Sequence, residues 1–202
     1  MLKNIVFDLG GVVVMHNEEG FKEHLGDFFS FVFGATAKGI PSFWIDFDNG
    51  VLTLAETAVE VAKFRGCDVE TAKRNMERAI ELQEEVMPTI ELVNELKARG
   101  YKLYVLSNMS KEYIDYLRTF PVFDNFDEQI VSCEVGIGKP DRRIYEHLLA
   151  HCNLDPAETI FIDDRKDNVD AAEEVGITPF HFNRCNPEQA CEALRRVIYG
   201  ED

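Results

Sequence analysis

The sequence contains no long apolar run. Its densest aromatic stretch, residues 28–33, is far shorter than the roughly 20 residues that a membrane-spanning helix needs. No basic segment followed by an apolar stretch, as in a secretory signal, stands at the start of the chain, where residues 3–7 already have a strand pattern. These absences predict a cytoplasmic protein without a membrane partner.

Paired cysteines are also missing. The five cysteines are odd in number, and no two of them form a C-x-x-C pair. A disulfide framework or a structural zinc site is therefore not expected, because both need paired or clustered thiols. We predict that most of the cysteines are small core residues or free thiols.

Basic residues are scarce. Lys and Arg together number 21 against 37 Asp and Glu, which gives a formal net charge of −16. Such a surface repels nucleic acid and anionic membranes, and no basic tail or block offsets it. An anionic substrate would be repelled as well, so a phosphate site would need a cation and basic groups of its own. The sequence gives no indication of a protein partner.

Helical patterns dominate one part of the chain, and strands alternate with helices in another. A first strand leads into a Gly-Gly turn, a helical block covers about residues 17–87, and strands and helices alternate after Pro88. Alternation of this kind predicts a parallel sheet with its active site at the carboxyl ends of the strands. We predict an α/β fold with a doubly wound parallel sheet. Residues 1-14 and 88-202 would form a Rossmann-like core, and residues 15-87 an inserted all-helical cap domain.

Short local signals mark where helices begin and end. Thr53 with Glu56 has the pattern of a capping box, and Asp68 and Ser110 stand where they can cap the next helices. Asn49-Gly50 is typical of a turn.

Four short segments lie just past predicted strand ends. They are Asp8-Leu9-Gly10-Gly11-Val12, Ser107-Asn108, Gly138-Lys139-Pro140 and Asp163-Asp164. Because the carboxyl ends of parallel strands meet at one edge of a sheet, the four segments can share one pocket. Together they contain a nucleophile, a metal site, a cation and neutral phosphate donors, which are the parts that phosphoryl transfer needs.

Asp8 follows an apolar strand and precedes two glycines. A carboxylate can attack phosphorus and form an aspartyl phosphate, and the glycines would let backbone amides approach the phosphate. An aspartate before glycine is also common in ordinary turns, so this position alone leaves both roles open.

Asp163 and Asp164 end an apolar strand, and their adjacent carboxylates repel each other. A hard cation such as Mg²⁺ relieves that repulsion, and the alternative is a helix cap beside a solvated acid. Lys139 could act as a point charge beside a nucleophile, while Ser107 and Asn108 offer a hydroxyl and an amide. Taken singly, a solvated loop lysine and a turn or helix cap are the simpler interpretations.

The four segments resemble a known family. Phe-Asp-Leu-Gly-Gly-Val-Val, Leu-Ser-Asn, Gly-Lys-Pro and Phe-Ile-Asp-Asp look like the four ordered motifs of the haloacid dehalogenase superfamily. Residues 132–145, with Asn168 after the last motif, are similar to the branch that holds glucose-1-phosphate phosphatases and the N-terminal phosphatase domain of soluble epoxide hydrolase. The resemblance runs from Leu2 to about Phe182, and the helical insert matches only in general style.

The resemblance implies a magnesium-dependent phosphatase that acts on a small phosphorylated metabolite, with a sugar phosphate as the class suggested by the branch. Asp8 would be the nucleophile and a Mg²⁺ ligand. The carbonyl oxygen of Gly10 and the Asp164 carboxylate would be further ligands, with Asp163 in or near the ligand set.

The resemblance also implies how the phosphoryl group would be held. Ser107 and Asn108 would bind it, and Lys139 would offset its charge.

One position departs from the family pattern. Phosphatases of the superfamily usually carry a second aspartate two residues after the nucleophile, which protonates the leaving group and later activates water, and here that position is Gly10. A general acid contributes roughly 10²–10⁴-fold, so turnover is expected to be slow or restricted to good leaving groups. The related glucose-1-phosphate phosphatases also have glycine here. His16, Asp46 and Asp48 of the cap are candidates for a substitute acid, and otherwise are plain surface residues.

Two alternatives stay open from the sequence. One is a metal-independent, haloacid-type dehalogenase, which would also use an aspartate nucleophile without the second aspartate. The other is a catalytically weak or non-catalytic binding protein on the same fold, for which Gly10 is the sequence support. Specificity is expected to lie in the cap, where Phe43, Trp44 and Phe47 either line the inner face or form cap core.

Overall fold

The computed structural model describes residues 2–33 and 39–200. Its strands, in chain order, are β1 (Asn4–Phe7), β2 (Val14–His16), β3 (Gln83–Glu85), β4 (Lys102–Ser107), β5 (Glu128–Val131), β6 (Thr159–Asp163) and β7 (Thr178–His181). Its α-helices are α1 (Glu18–His24), α2 (Ser30–Phe33), α3 (Ser42–Asp48), α4 (Leu54–Arg65), α5 (Val69–Glu81), α6 (Met87–Ala98), α7 (Lys111–Leu117), α8 (Ser132–Val135), α9 (Arg142–His151), α10 (Lys166–Glu173) and α11 (Pro187–Tyr199). Two short 3₁₀ helices cover Pro121–Asn125 and Pro156–Glu158.

Five of the strands form one parallel sheet in the order β5-β4-β1-β6-β7. Because β1 lies in the middle and chain order reverses on either side of it, the carboxyl ends of β4, β1 and β6 stand next to one another. In such sheets, ligands bind outside the carboxyl ends of the strands at the point of reversal. The fold therefore brings Asp8, Ser107 and Asp163 to the same edge.

Both faces of the sheet are buried. Ile5 and Phe7 of β1 belong to a cluster that includes apolar residues of α6, α7 and α11. Val6, which points the other way because side chains alternate along a strand, packs with residues of α9 and α10. Burial on both faces explains why the strands are continuously apolar. The predicted α/β fold with a doubly wound parallel sheet is confirmed.

A third apolar cluster lies within the helices between β2 and β3. Trp44 and Phe47 of α3 are buried there with residues of α1, α4 and α5, and Phe43 packs against them. These aromatic residues are therefore core of the helical insert. Tyr113 of α7 belongs to the same cluster, so α7 is one of the elements against which the insert packs.

Local signals begin several of these helices as predicted. Thr53 and Glu56 make both hydrogen bonds of a capping box at α4, and Asp68 accepts from the backbone N–H of Thr71 at the start of α5. Ser110 occupies the N-cap position of α7, but its side chain makes no capping hydrogen bond.

The insert is joined to the core by a small antiparallel ribbon of β2 and β3. The sequence analysis predicted a helical block that continues to about residue 87. Instead, α5 ends at Glu81, β3 follows, and α6 begins at Met87. The ribbon lies at both ends of the proposed cap, and the division of the chain at residues 14 and 87 stays a prediction. Within residues 2–33 and 39–200, none of the helices has the length and the apolar character of a transmembrane segment.

Candidate active site

Asp8 follows β1 directly and is the centre of the site. Its residue is 7% exposed, and its Oδ1 accepts hydrogen bonds from the Leu9 backbone N–H at 2.7 Å and from Ser107 Oγ at 2.9 Å. Lys139 Nζ lies 2.8 Å from the same oxygen. Three donors on one oxygen fix the carboxylate and leave Oδ2 without a hydrogen bond from any of them.

Lys139 connects two of the predicted carboxylates. Its Nζ lies 2.6 Å from Asp163 Oδ2 as well as 2.8 Å from Asp8 Oδ1, and the residue is 6% exposed. A buried ammonium is stable only with such partners. The solvated loop lysine that the sequence left open is therefore not what the structure contains.

Asp163 is held by donors on both of its carboxylate oxygens. Asn168 Nδ2 lies 3.1 Å from Oδ1 and 3.0 Å from Oδ2, and the Arg165 backbone N–H donates to Oδ1 at 2.8 Å. With Lys139 on Oδ2, these contacts take the four lone-pair positions of the carboxylate. This arrangement positions Lys139 and leaves Asp163 little capacity to bind a cation.

Asp164 lies at the open side of the same cluster. Ligand oxygens of Asp8, Asp163 and Asp164 all lie within 4.8 Å of one another. Arg184 Nη1, on an exposed side chain, donates to Asp164 Oδ2 at 3.2 Å. Hard cations such as Mg²⁺ prefer carboxylate oxygens, so Asp8 and Asp164 could hold one together.

The charges of the site do not balance. Burial raises the pKa of Asp8 to about 7; Lys139 opposes that rise, while Asp163 and Asp164 add to it. Burial also raises the pKa of Asp164, with Asp163 adding to the rise. Burial alone would lower the pKa of Lys139, but Asp163 and Asp8 outweigh it and raise that pKa. The two cations that pair with this cluster, Lys139 and the exposed Arg184, do not compensate three carboxylates, so the cluster favours an added cation.

Asn108 supports the lysine loop. Its Nδ2 donates to the Lys139 carbonyl oxygen at 2.7 Å, and its Oδ1 accepts from the Lys139 backbone N–H at 2.6 Å. A Cβ on Gly138 would lie 2.6 Å from Asn49 Oδ1 of the insert and 3.2 Å from the Asn108 amide. In this structure the Asn108 side chain therefore holds the backbone at Lys139. The sequence analysis assigned it to the phosphoryl group, and that role stays a prediction.

The two glycines after Asp8 differ. Gly11 has φ +77°, and a Cβ there would lie 2.8 Å from Asp164 Oδ2. Gly10 is exposed, and a Cβ there would have no atom within 4 Å. The close approach of backbone to carboxylate therefore requires glycine at Gly11 and not at Gly10. Gly10 is nonetheless the residue whose carbonyl oxygen the sequence analysis placed among the Mg²⁺ ligands, and this too stays a prediction.

The cap residues considered as substitute acids occupy different settings. Burial lowers the pKa of the half-buried His16 on β2. Burial raises the pKa of Asp48, at the end of α3, well above its usual value. Asp46, on the same helix, accepts hydrogen bonds from Val51 and Leu52 with its backbone carbonyl.

Sequence reasoning missed two contributors to the site. Arg184 lies in the loop after β7. Its position shortly after a strand end is the signal that could have marked it as a site residue. Ser132 accepts from the Met109 backbone N–H at 2.9 Å and donates to the Asp48 carbonyl oxygen. No local pattern in the sequence marks the contact of Ser132 with the insert.

Comparison with known proteins identifies the family. The family model described as haloacid dehalogenase-like hydrolase matches residues 2–176. Sesquiterpene phosphatase astK of Aspergillus oryzae is 35% identical over 108 residues. That match covers 53% of this chain and 54% of the relative, so the chain spans about half the length of that curated protein.

Two solved structures are similar over nearly their whole length. A predicted HAD-like family hydrolase from Porphyromonas gingivalis is 27% identical, with a TM-score of 0.76 and coverage of 98% of both chains. A HAD family enzyme from Bacteroides thetaiotaomicron, an aspartate-to-alanine mutant in complex with magnesium and inorganic phosphate, is 25% identical. Its TM-score is 0.71, and the match covers 91% of this chain and 95% of that one. The chain therefore belongs to the haloacid dehalogenase-like hydrolase family.

Proposed function

We propose that this protein is a magnesium-dependent phosphatase that hydrolyses a small phosphorylated metabolite through an aspartyl phosphate on Asp8. The observation that carries the proposal is the buried Asp8 carboxylate, bonded to Ser107 and Lys139 and next to the Asp164 carboxylate. A family match and a similar structure that contains magnesium and inorganic phosphate support it.

Asp8 supplies the nucleophile. The Asp8 carboxylate attacks the phosphorus atom, a new O–P bond forms, and the bond from phosphorus to the alcohol oxygen breaks with its electron pair on that oxygen. The alcohol leaves with a proton taken from an acid or from solvent. A water molecule then attacks the phosphorus, which releases inorganic phosphate and restores the Asp8 carboxylate.

Ser107 and Lys139 hold the reacting groups. Ser107 Oγ and Lys139 Nζ both contact Asp8 Oδ1, so they orient the carboxylate and stand close to the phosphoryl oxygens that approach it. A buried ammonium offsets the charge on those oxygens without reorganising during the reaction. Asp163 and Asn168 keep the ammonium in place, and Asn108 fixes its loop.

The residues of the site fit a magnesium ion. Asp8 and Asp164 provide carboxylate oxygens within 4.8 Å of each other, and the three carboxylates of the cluster face two cations, Lys139 and the exposed Arg184. Asp8, Asp164 and the Gly10 carbonyl would hold the ion, and Asp163 would act mainly through Lys139. When bound, Mg²⁺ supplies positive charge that neutralises the phosphoryl group and the repelling carboxylates.

The substrate class follows from charge and from the relatives. The formal net charge of −16 disfavours nucleic acid and anionic membranes as partners, while the site provides positive charge for one phosphate group. The relative named a sesquiterpene phosphatase supports phosphate esters as the class. We propose a small phosphorylated metabolite in the cytoplasm, with no protein partner required.

The carboxylate cluster also favours phosphate chemistry over a haloacid-type dehalogenase. A dehalogenase of this superfamily needs no metal, and three carboxylates paired with only Lys139 and Arg184 would then keep an excess negative charge. A non-catalytic binding protein would have no need for a nucleophile held by three donors.

The test is phosphate release from a panel of phosphate esters and p-nitrophenyl phosphate, with magnesium and with EDTA. We expect release that depends on magnesium and disappears in Asp8→Asn, because an amide is a poor nucleophile at phosphorus. Release of chloride from 2-chloropropionate without magnesium would support the dehalogenase. No release from any ester would support the binding protein.

A further inference from the structure

Two histidines stand four residues apart on α9, away from the candidate active site. His147 and His151 lie on the same face of the helix, because residues at this spacing are neighbours on a helix surface. Their rings are stacked, with centroids 5.5 Å apart and an angle of 20° between the ring planes. Two histidines at this spacing on one helix face can bind a single metal ion.

A carboxylate of the sheet faces the second histidine. Glu128 is the first residue of the edge strand β5, and its Oε2 lies 3.7 Å from His151 Nε2. Its Oε1 accepts a hydrogen bond from the Gln129 backbone N–H at 3.1 Å. The separation of 3.7 Å is too long for a hydrogen bond. It is close to about 3.4 Å, the separation of two ligand atoms that each lie about 2.1 Å from one tetrahedral zinc ion.

The two imidazoles are not occupied by other protein groups. Within residues 2–33 and 39–200, neither His147 nor His151 makes a hydrogen bond, and Glu128 is the single ion-pair partner of the two. The side chains of His151 and Glu128 are 51% and 49% exposed, and His147 is half-buried. These side chains can therefore turn toward an ion from solvent without breaking a hydrogen bond between protein groups.

The cluster lies at the far end of the sheet from Asp8. Because all five strands run parallel, their beginnings lie at one edge of the sheet and their ends at the other. Glu128 begins β5 and pairs with Tyr104, whereas Val131 ends β5 and pairs with Ser107 at the catalytic edge. An ion bound at Glu128 would therefore not touch the carboxylate cluster around Asp8.

We propose that Glu128, His147 and His151 form a second metal site, which binds a divalent transition-metal ion such as Zn²⁺ with water in the fourth position. The ion would join the beginning of the edge strand β5 to the last turn of α9. Neither Asp8 nor a substrate takes part, so this site is independent of the phosphatase function proposed above.

The ligand set distinguishes this site from the carboxylate cluster. Imidazole nitrogens suit Zn²⁺, Ni²⁺ and Cu²⁺, whereas Mg²⁺ prefers oxygen ligands and keeps several waters. The residues between the two histidines are Leu148, Leu149 and Ala150, so the glutamate that acts as a base in helical zinc hydrolase motifs is missing. We therefore assign the ion a stabilising role and no catalysis.

Ion binding should stabilise the folded protein. The ligands come from a strand and a helix that only the folded chain brings together, so the ion binds the folded state more tightly than the unfolded state. Zn²⁺ should therefore raise the Tm of the wild type in the presence of excess Mg²⁺. The Tm of His147→Ala should not respond to Zn²⁺, although without added zinc it should unfold close to the wild-type Tm.

Calorimetric titration of the untagged protein with ZnCl₂, in excess magnesium and near neutral pH, tests the site. The variants are His147→Ala, His151→Ala and Glu128→Gln. His24→Ala is the matched control, because His24 is an exposed histidine in the last turn of another helix, α1. Titration of Asp164→Ala separates this site from the carboxylate cluster.

We expect the wild type, His24→Ala and Asp164→Ala to bind one Zn²⁺ with equal affinity. His147→Ala and His151→Ala should each weaken binding by more than the roughly 10–100-fold that loss of a supporting residue costs at a metal site. Glu128→Gln, which keeps an oxygen at the same place, should weaken it by about 10-fold.

Three results would overturn the second metal site. One is a wild type that binds no Zn²⁺. Another is Zn²⁺ binding of wild-type affinity in both His147→Ala and His151→Ala, which would place the ion on a thiol or elsewhere. The third is loss of Zn²⁺ binding in Asp164→Ala, which would place the ion in the carboxylate cluster. None of these results depends on whether phosphate esters are hydrolysed.

Discussion

Gly10 and Gly11 are adjacent in the chain but differ in backbone conformation and in the space around them. At Gly10 a side chain would enter open space, and the backbone there is not left-handed, so an aspartate fits. Gly10→Asp would restore the pair of aspartates usual in phosphatases of this family. It should raise turnover of sorbitol 6-phosphate relative to p-nitrophenyl phosphate, because a sugar alkoxide needs a proton and a phenolate does not.

The gain should be well below the roughly 10⁴-fold upper limit for a positioned acid, since the new carboxylate adds negative charge beside Asp8 and Asp164. Gly11→Ala is the matched control. The φ of Gly11 is +77°, and a Cβ there would lie 2.8 Å from Asp164 Oδ2. Gly11→Ala should therefore lose activity on both esters. An unchanged ratio in a Gly10→Asp protein that still binds magnesium would mean that leaving-group protonation does not limit turnover.

Asn168 positions the lysine without touching the nucleophile. Its amide contacts both oxygens of Asp163, which in turn bonds Lys139. Asn168→Ala should lower kcat by roughly 10- to 100-fold with little change in KM, because a small misplacement of a catalytic group costs about that much. It should also lower the free energy of unfolding by roughly 1.5–3 kcal/mol, the value of a hydrogen bond to a buried charge.

Steady-state kinetics and urea unfolding measure the two effects. Asn125→Ala, which removes an amide that donates to Asn94 Oδ1 at 3.0 Å far from Lys139 in the chain, should change neither. A stability loss without a fall in kcat would show that Asn168 supports the fold and not the position of Lys139.

Individual site residues were predictable where chemistry and strand position coincide. Asp8, Ser107 and Asp163 each stand at the end of an apolar strand, and the parallel sheet brings these ends together. Their partners were harder to predict from the sequence, because the hydrogen bond between the Asn108 side chain and the Lys139 backbone joins two loops that are far apart in the chain. Arg184 reaches Asp164 from a loop whose path no local pattern determines.

At the scale of elements, the turn after α3 holds the insert against the core. Gly50 has φ +70°, and a Cβ there would lie 2.6 Å from the Cys133 carbonyl oxygen. Gly66 has the same φ but no atom within 4 Å of a Cβ. Alanine substitutions at Gly50 and Gly66 therefore distinguish the cost of the left-handed backbone from the cost of a steric clash.

Gly66→Ala should cost roughly 1–2 kcal/mol of unfolding free energy from the left-handed backbone alone. Gly50→Ala should cost more, because the turn must also move away from α8. Urea unfolding of both variants provides the comparison. Equal losses of stability would mean that the turn accommodates a side chain and that the contact with Cys133 is not tight.

Elements with strong local signals were predicted well, and those that depend on distant partners were not. Thr53 with Glu56 begins α4, and Asp68 begins α5, as their capping patterns predict. The ribbon strand β3 consists of Gln and Glu, which favour helix, and it exists because β2 pairs with it across the insert. Ser110 looks like a helix cap locally, but its hydroxyl is left without that bond.

At the scale of the whole molecule, a formal net charge of −16 and a cluster of buried carboxylates should make stability depend on magnesium. An ion that binds the folded state at about 100 times its Kd adds roughly 2.7 kcal/mol, which for a chain of this size is a shift in Tm of about 5–10 °C. Asp164→Ala should abolish the shift while the protein remains folded, because it removes a ligand. Thermal unfolding with magnesium, and with sodium at equal ionic strength, measures it. The same shift in Asp164→Ala would place the ion elsewhere.

The covalent step on Asp8 is the centre of this account. Its most direct test is a crystal structure of the protein with magnesium and beryllium fluoride, which mimics a phosphoryl group on a carboxylate. We predict beryllium fluoride on the Asp8 carboxylate, in contact with Ser107 and Lys139, and a magnesium ion bound by Asp8 and Asp164. Beryllium fluoride bound away from Asp8, or a magnesium ion that touches neither Asp8 nor Asp164, would contradict the account.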